Sequence, residues 1–239
     1  MKNIYEDLDT SSWKSGWEPG APVFTGYENE VLAIEQKYPA RNIAPADVPV
    51  SGTVPATVFY GASNFRMWKN LDRDMAQFGA QNHGFGGATD VLLVHYADRL
   101  LFPYAPDVAV IQSGSNDYAG LKGKPARQAA ANLELKIRMY GYFLEHLPDT
   151  RFVLLSPLLM PGAPYFTETS LLVAEGMEKL CEELPRLTFA GVSDLTFDGT
   201  AYRTDLFKSD GIHLNRDGQL ALRERITEVL YGVFKNIGG

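Results

Sequence analysis

A serine early in the sequence is the residue best placed for chemistry. Ser63 follows a short run of β-branched and aromatic residues and a turn of small residues, and the residues after it are typical of a helix. A strand, a tight turn and a helix would lift the Ser63 hydroxyl out of a parallel sheet, at a helix N-terminus whose free N–H groups can hold an anion. The alternative is that Ser63 only caps the helix, since serine is favoured at that position.

A serine hydroxyl becomes a nucleophile when a base takes its proton, and histidine is suited to that near neutral pH. The sequence has four histidines. His213 lies in a loop before the last predicted helix, three residues after Asp210. One loop can therefore present Asp210 to one imidazole nitrogen and leave the other for Ser63. His83, in a glycine-rich stretch, is an alternative base, and the Asp-x-x-His spacing alone is also typical of ordinary loops.

Acyl transfer also needs donors for the developing oxyanion. The candidates are the backbone N–H of Ser63, the backbone N–H of Gly87 and the side-chain amide of Asn116. A glycine suits this role because its backbone can approach a substrate closely. The alternatives are a turn that needs glycine and an Asx-turn at Asn116.

Strands and helices alternate along most of the chain. Strands are predicted at Val54–Tyr60, Val108–Gln112, Arg151–Ser156 and Leu187–Val192, helices at Asn64–Phe78, Pro125–Leu147, Glu168–Leu184 and Arg216–Phe234, and a glycine-rich turn at Asn82–Thr89 followed by a helix to about Leu101. Such continuous apolar runs indicate a parallel sheet covered on both faces. Ligand sites in these folds lie beyond the carboxyl ends of the strands, where the candidate loops would meet.

Two parts of the chain differ in composition. Residues 1–53 are rich in proline, glycine and aromatic residues, with one predicted helix at Glu28–Gln36. We interpret this segment as an arm packed on the main domain, residues 54–239, rather than as a second domain.

Composition excludes several classes of protein. The chain has 239 residues, 45% of them hydrophobic, and a net charge of −7 with no basic stripe, which argues against nucleic-acid binding. A single cysteine, Cys181, excludes an intrachain disulfide and a cysteine-rich metal site. No apolar stretch approaches the roughly 20 residues of a membrane span. The polar N-terminus does not resemble a signal peptide, so a cytoplasmic protein is expected.

Four sequence blocks resemble the SGNH hydrolases, also called the GDSL esterase/lipase superfamily. The blocks occur in the family's order: Gly61-Ala62-Ser63-Asn64, Asn82–Thr89, Gly114-Ser115-Asn116-Asp117 and Asp210-Gly211-Ile212-His213. The resemblance implies a three-layer α/β/α fold of the flavodoxin-like kind and no metal or organic cofactor.

The same resemblance implies the roles of the site residues. Ser63 would be the nucleophile, His213 the base and Asp210 the residue that orients it. The oxyanion hole would comprise the Ser63 N–H, the Gly87 N–H and the Asn116 amide. Gly87 is chosen because it lies five residues after Asn82, as in the family, and Gly86 is the alternative.

The first block departs from the family's pattern. The usual Gly-Asp-Ser-Leu reads Gly61-Ala62-Ser63-Asn64 here. The missing acid is not a member of the triad, so the chemistry is expected to survive. Phe65 stands where a Gly-x-Ser-x-Gly motif would have its second glycine, which argues against an α/β-hydrolase nucleophile elbow.

The expected function is hydrolysis of a small carboxylic ester, with a short acyl group such as acetyl, through an acyl-enzyme. Within the family, carbohydrate O-acetylesterase, thioesterase and lysophospholipase activities are alternatives. Phe65, Trp68 and Tyr118 are predicted to contact substrate, together with the loop Leu158–Phe166. A catalytically silent binding module on the same fold, or a phosphate- or nucleotide-binding protein, is a further alternative. The sequence leaves the oligomeric state open.

Overall fold

Five short strands form one parallel sheet in the computed structural model, which describes residues 25–40, 57–118 and 123–237. They are β1 (Thr57–Gly61), β2 (Ala80–Gly84), β3 (Val108–Gln112), β4 (Arg151–Leu155) and β5 (Leu187–Ala190). Their order is β2-β1-β3-β4-β5, and every neighbouring pair is parallel. Strands β1 and β3 are buried over their whole length, which explains why they appear as unbroken apolar runs.

Helices cover both faces of the sheet. The α-helices among the described residues are α1 (Glu28–Lys37), α2 (Ser63–Met67), α3 (Leu71–Asp74), α4 (Asp90–Leu100), α5 (Ser115–Tyr118), α6 (Pro125–His146), α7 (Thr167–Glu183), α8 (Ser193–Thr196) and α9 (Arg216–Ile237). Successive strand side chains point to opposite faces. Tyr60 therefore joins the core beneath α4, α6 and α7, whereas Phe59 joins the core beneath α2 and α9.

Strand β2 is the strand of this sheet that the sequence does not reveal. Its residues, Ala-Gln-Asn-His-Gly, form no apolar run, because β2 lies at the edge of the sheet and pairs with β1 alone among the described strands. The predicted turn at Asn82–Thr89 is therefore wrong at its start. Asn82 to Gly84 belong to the strand, and the turn begins at Gly86.

The predicted helix over Asn64–Phe78 is also wrong, because the segment is divided. Helix α2 ends at Met67, α3 follows, and a 3-10 turn occupies Ala76–Phe78. The side-chain amide of Asn82 donates to the carbonyl oxygens of Phe65 (2.7 Å) and Trp68 (3.2 Å). These bonds satisfy acceptors at the end of α2, so the helix can stop there.

The strand order confirms the three-layer, flavodoxin-like prediction. Adjacent strands β1 and β3 mark the point where the chain changes direction across the sheet, and ligands in such folds bind beyond that point. Helix α1, within the predicted arm, packs against α4, whereas residues 1–24 and 41–56 lie outside the described residues. No helix among the described residues is long and apolar enough to span a membrane.

Candidate active site

Ser63 is the first residue of α2, immediately beyond the carboxyl end of β1. Ala62, not Ser63, occupies the N-cap position, in an extended conformation. The Ser63 hydroxyl is therefore not used to cap the helix. It forms a hydrogen bond with Nε2 of His213, at an Oγ–Nε2 distance of 3.0 Å.

A second hydrogen bond links His213 to Asp210. His213 Nδ1 lies 2.7 Å from Asp210 Oδ2, within the loop that precedes α9. The other carboxylate oxygen, Oδ1, accepts from the backbone N–H groups of Ile212 (2.8 Å) and His213 (2.9 Å). Three hydrogen bonds hold the pKa of Asp210 well below its usual range. The largest effect comes from the backbone N–H of His213, followed by the His213 ring and the backbone N–H of Ile212. Asp210 is thus a fixed carboxylate, and it orients Nδ1–H toward itself and Nε2 toward Ser63.

A second loop supports the loop of Asp210 and His213 from the outside. The Gly162 N–H donates to the Gly211 carbonyl oxygen at 2.9 Å. A Cβ added at Gly162 would lie only 2.3 Å from the Asp210 carbonyl oxygen, so the two backbones can approach this closely only with glycine there. A cavity of about 430 Å³ lies beside the point where the two loops meet, and Gly162, Phe207, Lys208 and Asp210 are among the residues that line it. The sequence predicts that the loop Leu158–Phe166 contacts substrate, but it does not predict the contact between this loop and the loop of Asp210.

The loop after β2 presents two adjacent glycines, which the structure distinguishes. The Gly86 N–H donates to Glu30 Oε2 at 2.7 Å, so this donor is already engaged. Gly87 adopts a positive φ of 70°, and its N–H has no acceptor within the described ranges. This geometry favours Gly87 over Gly86 as the oxyanion donor.

Asn116, beyond β3 in α5, lies next to the same loop. Its Nδ2 donates one hydrogen to the Ala88 carbonyl oxygen at 2.9 Å, which leaves the second amide hydrogen available. The bond joins the Asn116 side chain to the residue after Gly87. The two predicted oxyanion donors are therefore parts of one connected structure.

A buried charged cluster lies beneath Asn116. Lys136 Nζ is 3.1 Å from Asp90 Oδ1 and 2.9 Å from Ser113 Oγ, and both charged side chains are inaccessible to solvent. The carboxylate of Asp117 accepts from the Asp90 backbone N–H at 3.1 Å. Burial and the nearby charge of Asp90 raise the pKa of Asp117 to about 8. The cluster fixes the residue next to Asn116 to the N-terminus of α4.

Sequence reasoning missed this cluster, although a signal was present. Apolar residues at spacings of three and four predict a buried face on α6; its Tyr140 is buried, but Leu133 and Ile137 are only half-buried. The buried face also carries Asn132 and Lys136, one turn apart. A lysine at helical spacing with large apolar residues indicates a buried partner of opposite charge.

Four other predicted residues are buried. His83 is fully buried in β2, where its Nδ1 bonds to the Leu100 carbonyl oxygen (2.6 Å), and burial lowers its pKa to about 4. Phe65 and Trp68 are fully buried in the core, and Tyr118 is 1% exposed. Buried side chains offer a ligand no surface, so the structure argues against their predicted contact with substrate. Among the described residues, no three side chains of metal-binding type are grouped to hold an ion.

A known protein family matches most of this sequence. The sequence matches the GDSL-like lipase/acylhydrolase family model over residues 54–221, well over half of the chain. No match was found among curated proteins.

Solved structures share the fold. A Streptococcus pneumoniae protein is 21% identical, with a TM-score of 0.67 over 85% of this chain and 96% of that one. A GDSL-like lipase from Bacteroides thetaiotaomicron is 17% identical, with a TM-score of 0.64 over 87% and 97%. The catalytic domain of peptidoglycan O-acetyltransferase A from S. pneumoniae is 16% identical, with a TM-score of 0.58 over 77% and 97%. The sequence match over most of the chain shows that this protein belongs to the GDSL-like lipase/acylhydrolase family and is a carboxylic ester hydrolase.

Proposed function

We propose that this hydrolase cleaves a carboxylic ester through an acyl-enzyme formed on Ser63. The observation that carries the proposal is the continuous hydrogen bonding from Ser63 through His213 to Asp210. His213 Nε2 takes the Oγ proton as Ser63 attacks the ester carbonyl carbon. The charge that develops on the imidazole is stabilised by the Asp210 carboxylate.

The oxyanion formed in this step is stabilised by the Ser63 N–H, the Gly87 N–H and the second amide hydrogen of Asn116. His213 then returns its proton to the leaving alkoxide, and the C–O bond breaks. Water enters, loses a proton to the same Nε2 and attacks the acyl carbonyl. The bond between the acyl carbon and Ser63 Oγ then breaks as Oγ takes the proton back from Nε2, which releases the acid and restores Ser63. Each proton moves through one nitrogen, so no further acid or base is required.

The proposed acyl group is short, with acetyl as the simplest case. The support is the burial of Phe65, Trp68 and Tyr118, the large side chains that the sequence predicted to contact substrate. Packed in the core, these three side chains offer no apolar surface to a longer acyl chain. O-Acetylated carbohydrates, thioesters and lysophospholipids remain alternative substrates within the same chemistry.

Hydrolysis of p-nitrophenyl esters from acetate to octanoate tests the proposal, with Ser63→Ala as control. We expect turnover that is highest on acetate and absent in Ser63→Ala. Labelling of Ser63 by a fluorophosphonate gives a second readout that does not depend on the natural ester. A folded wild-type protein that neither hydrolyses these esters nor reacts with the fluorophosphonate would support the silent binding module instead.

The oxyanion assignment makes a separate prediction for Asn116→Ala. Loss of one donor should lower kcat by about a hundredfold, because the donor acts on charge that exists only in the transition state. The measurement is kcat on p-nitrophenyl acetate, with circular dichroism to verify the fold. Hydrolysis at the wild-type rate would contradict the role of Asn116 and leave that of Ser63 intact.

A further inference from the structure

A carboxylate from outside the region matched by the family contacts the glycine loop directly. Glu30 lies on α1, whereas the family match begins at residue 54. Its Oε2 accepts from the Gly86 N–H at 2.7 Å and lies 2.9 Å from Nε of Arg66. Arg66 belongs to α2, the helix that begins with Ser63. One oxygen atom thus joins the loop of the proposed oxyanion donor to the helix of the proposed nucleophile.

The glycine loop has few means to hold its own conformation. Gly86 and Gly87 are consecutive and carry no side chains, so this peptide unit has unusual freedom to rotate. The Gly86 N–H is the donor that precedes the Gly87 N–H along the backbone. An acceptor fixed on the Gly86 N–H therefore restricts the direction in which the next N–H can point.

Tyr27 supports the same loop from a second direction. Its Cε1 atom and its hydroxyl oxygen each lie 3.3 Å from the position that a Cβ on Gly87 would occupy. The ring also packs edge-on against Phe85, with centroids 6.0 Å apart. Tyr27 and Glu30 lie about one helical turn apart in sequence and contact consecutive glycines.

Helix α1 is itself firmly attached to the domain. Val31 and Ile34 are buried in the core, and Arg99 of α4 pairs with Glu28 (2.7 Å) and Glu35 (2.6 Å). Glu30 is therefore presented from a fixed helix. Arg66 also offsets the negative charge of Glu30, which would otherwise oppose charge developing on the oxyanion.

We infer that Glu30 is a positioning residue for the oxyanion hole, acting through Gly86 to orient the N–H of Gly87. This inference rests on the proposed function, since it assigns Glu30 to the same reaction. It predicts an effect on transition-state stabilisation rather than on substrate binding, because the Gly87 N–H is needed most when the oxyanion forms.

The test compares Glu30→Met with Glu30→Gln. The two side chains have similar size, but only glutamine retains an oxygen that can accept from Gly86. Glu35→Met is the matched control, because Glu35 is a carboxylate of the same helix that does not contact the loop, and its loss leaves the buried Val31 and Ile34 and the Glu28–Arg99 pair to hold α1 in place. The readouts are kcat and KM on p-nitrophenyl acetate and the rate of Ser63 labelling by a fluorophosphonate.

We expect Glu30→Met to lower kcat about tenfold with KM unchanged, less than the hundredfold or more expected for loss of a donor. Glu30→Gln should restore most of the activity, and Glu35→Met should keep the wild-type kcat. Wild-type kcat in Glu30→Met would overturn the inference, as would equal losses in Glu30→Met and Glu35→Met.

Ser63→Ala, measured in the same series, separates this result from a failure of the proposed function. If Ser63→Ala is inactive while Glu30→Met is unchanged, only the role of Glu30 is wrong. If Ser63→Ala retains turnover, the proposed nucleophile is wrong.

Discussion

At the scale of single residues, Asn64 has a structural role at a position where the sequence departs from the family's usual motif. The family has leucine after the serine, and this chain has asparagine. Asn64 is buried, and its Oδ1 accepts from the Leu214 backbone N–H at 3.0 Å. Leu214 directly follows His213. The residue after the proposed nucleophile therefore holds the backbone beside the proposed base, across 150 residues of sequence.

Replacement of Asn64 by leucine, the family's residue, should destabilise the protein and misalign His213. The variant leaves a buried N–H without an acceptor, which costs about 1–3 kcal/mol. Urea unfolding and kcat on p-nitrophenyl acetate measure the two effects. Asn64→Asp keeps the acceptor oxygen and should have the smaller loss of kcat. Wild-type stability and kcat in Asn64→Leu would show that this hydrogen bond has no role.

At the scale of elements, the loop after β4 and the loop before α9 depend on each other. Gly162 and Gly211 bring the two backbones into hydrogen-bonding contact, directly behind Asp210. The position of the proposed base, His213, is therefore set by a neighbouring loop as well as by its own sequence. The support of the neighbouring loop explains how a partly exposed loop can keep Asp210 and His213 in hydrogen-bonding contact, with 2.7 Å between Oδ2 and Nδ1.

Gly162→Ala should separate these loops. A methyl group 2.3 Å from the Asp210 carbonyl oxygen has to displace backbone. A displacement of about 1 Å in a catalytic group can cost about a hundredfold in rate. The measurement is kcat on p-nitrophenyl acetate beside Gly232→Ala in α9, where an added Cβ meets no atom within 4 Å. Equal activity of the two variants would contradict the proposed dependence.

At the scale of the whole molecule, the charged cluster joins four parts of the fold. Lys136 of α6, Asp90 of α4, Ser113 after β3 and Asp117 of α5 meet beneath the proposed oxyanion hole. A buried charge is costly unless it is paired, and here one ammonium group faces two carboxyl groups. The cluster is closest to neutrality when one carboxyl group keeps its proton, and the raised pKa of Asp117 identifies that group.

The raised pKa makes global stability depend on pH. In the unfolded chain the pKa of an aspartate is about 3.9. Between about pH 4 and pH 8 the folded state thus holds a proton that the unfolded state releases. The contribution of Asp117 to stability is complete below about pH 4 and decreases as the pH rises toward 8.

Asp117→Asn should remove this dependence, since the amide does not titrate. The free energy of unfolding, measured by urea titration from pH 5 to pH 8, should fall less steeply in the variant, by up to about 1.4 kcal/mol per pH unit. Asp149→Asn, at an exposed position, is the control and should leave the slope unchanged. An identical slope in Asp117→Asn and the wild type would contradict the assignment of the proton to Asp117.

Local patterns in the sequence determined much of this protein. The buried strands β1 and β3 are recognisable because both of their faces are covered, which leaves an uninterrupted apolar run. The pairing of Asp210 with His213 was also predictable, since it lies within four residues of one loop. The order of the blocks was sufficient to indicate the family and the α/β fold.

Only the tertiary structure decided the contacts between residues distant in sequence. Edge strand β2 has no run or alternation of apolar residues. No local pattern indicates that Lys136 pairs with Asp90 or that Gly162 contacts the loop of Asp210. The engagement of Gly86 by Glu30, which favours Gly87 as the donor, joins residues 56 positions apart. Such contacts depend on how whole helices and loops pack against the sheet, and a local pattern of residue types does not encode that packing.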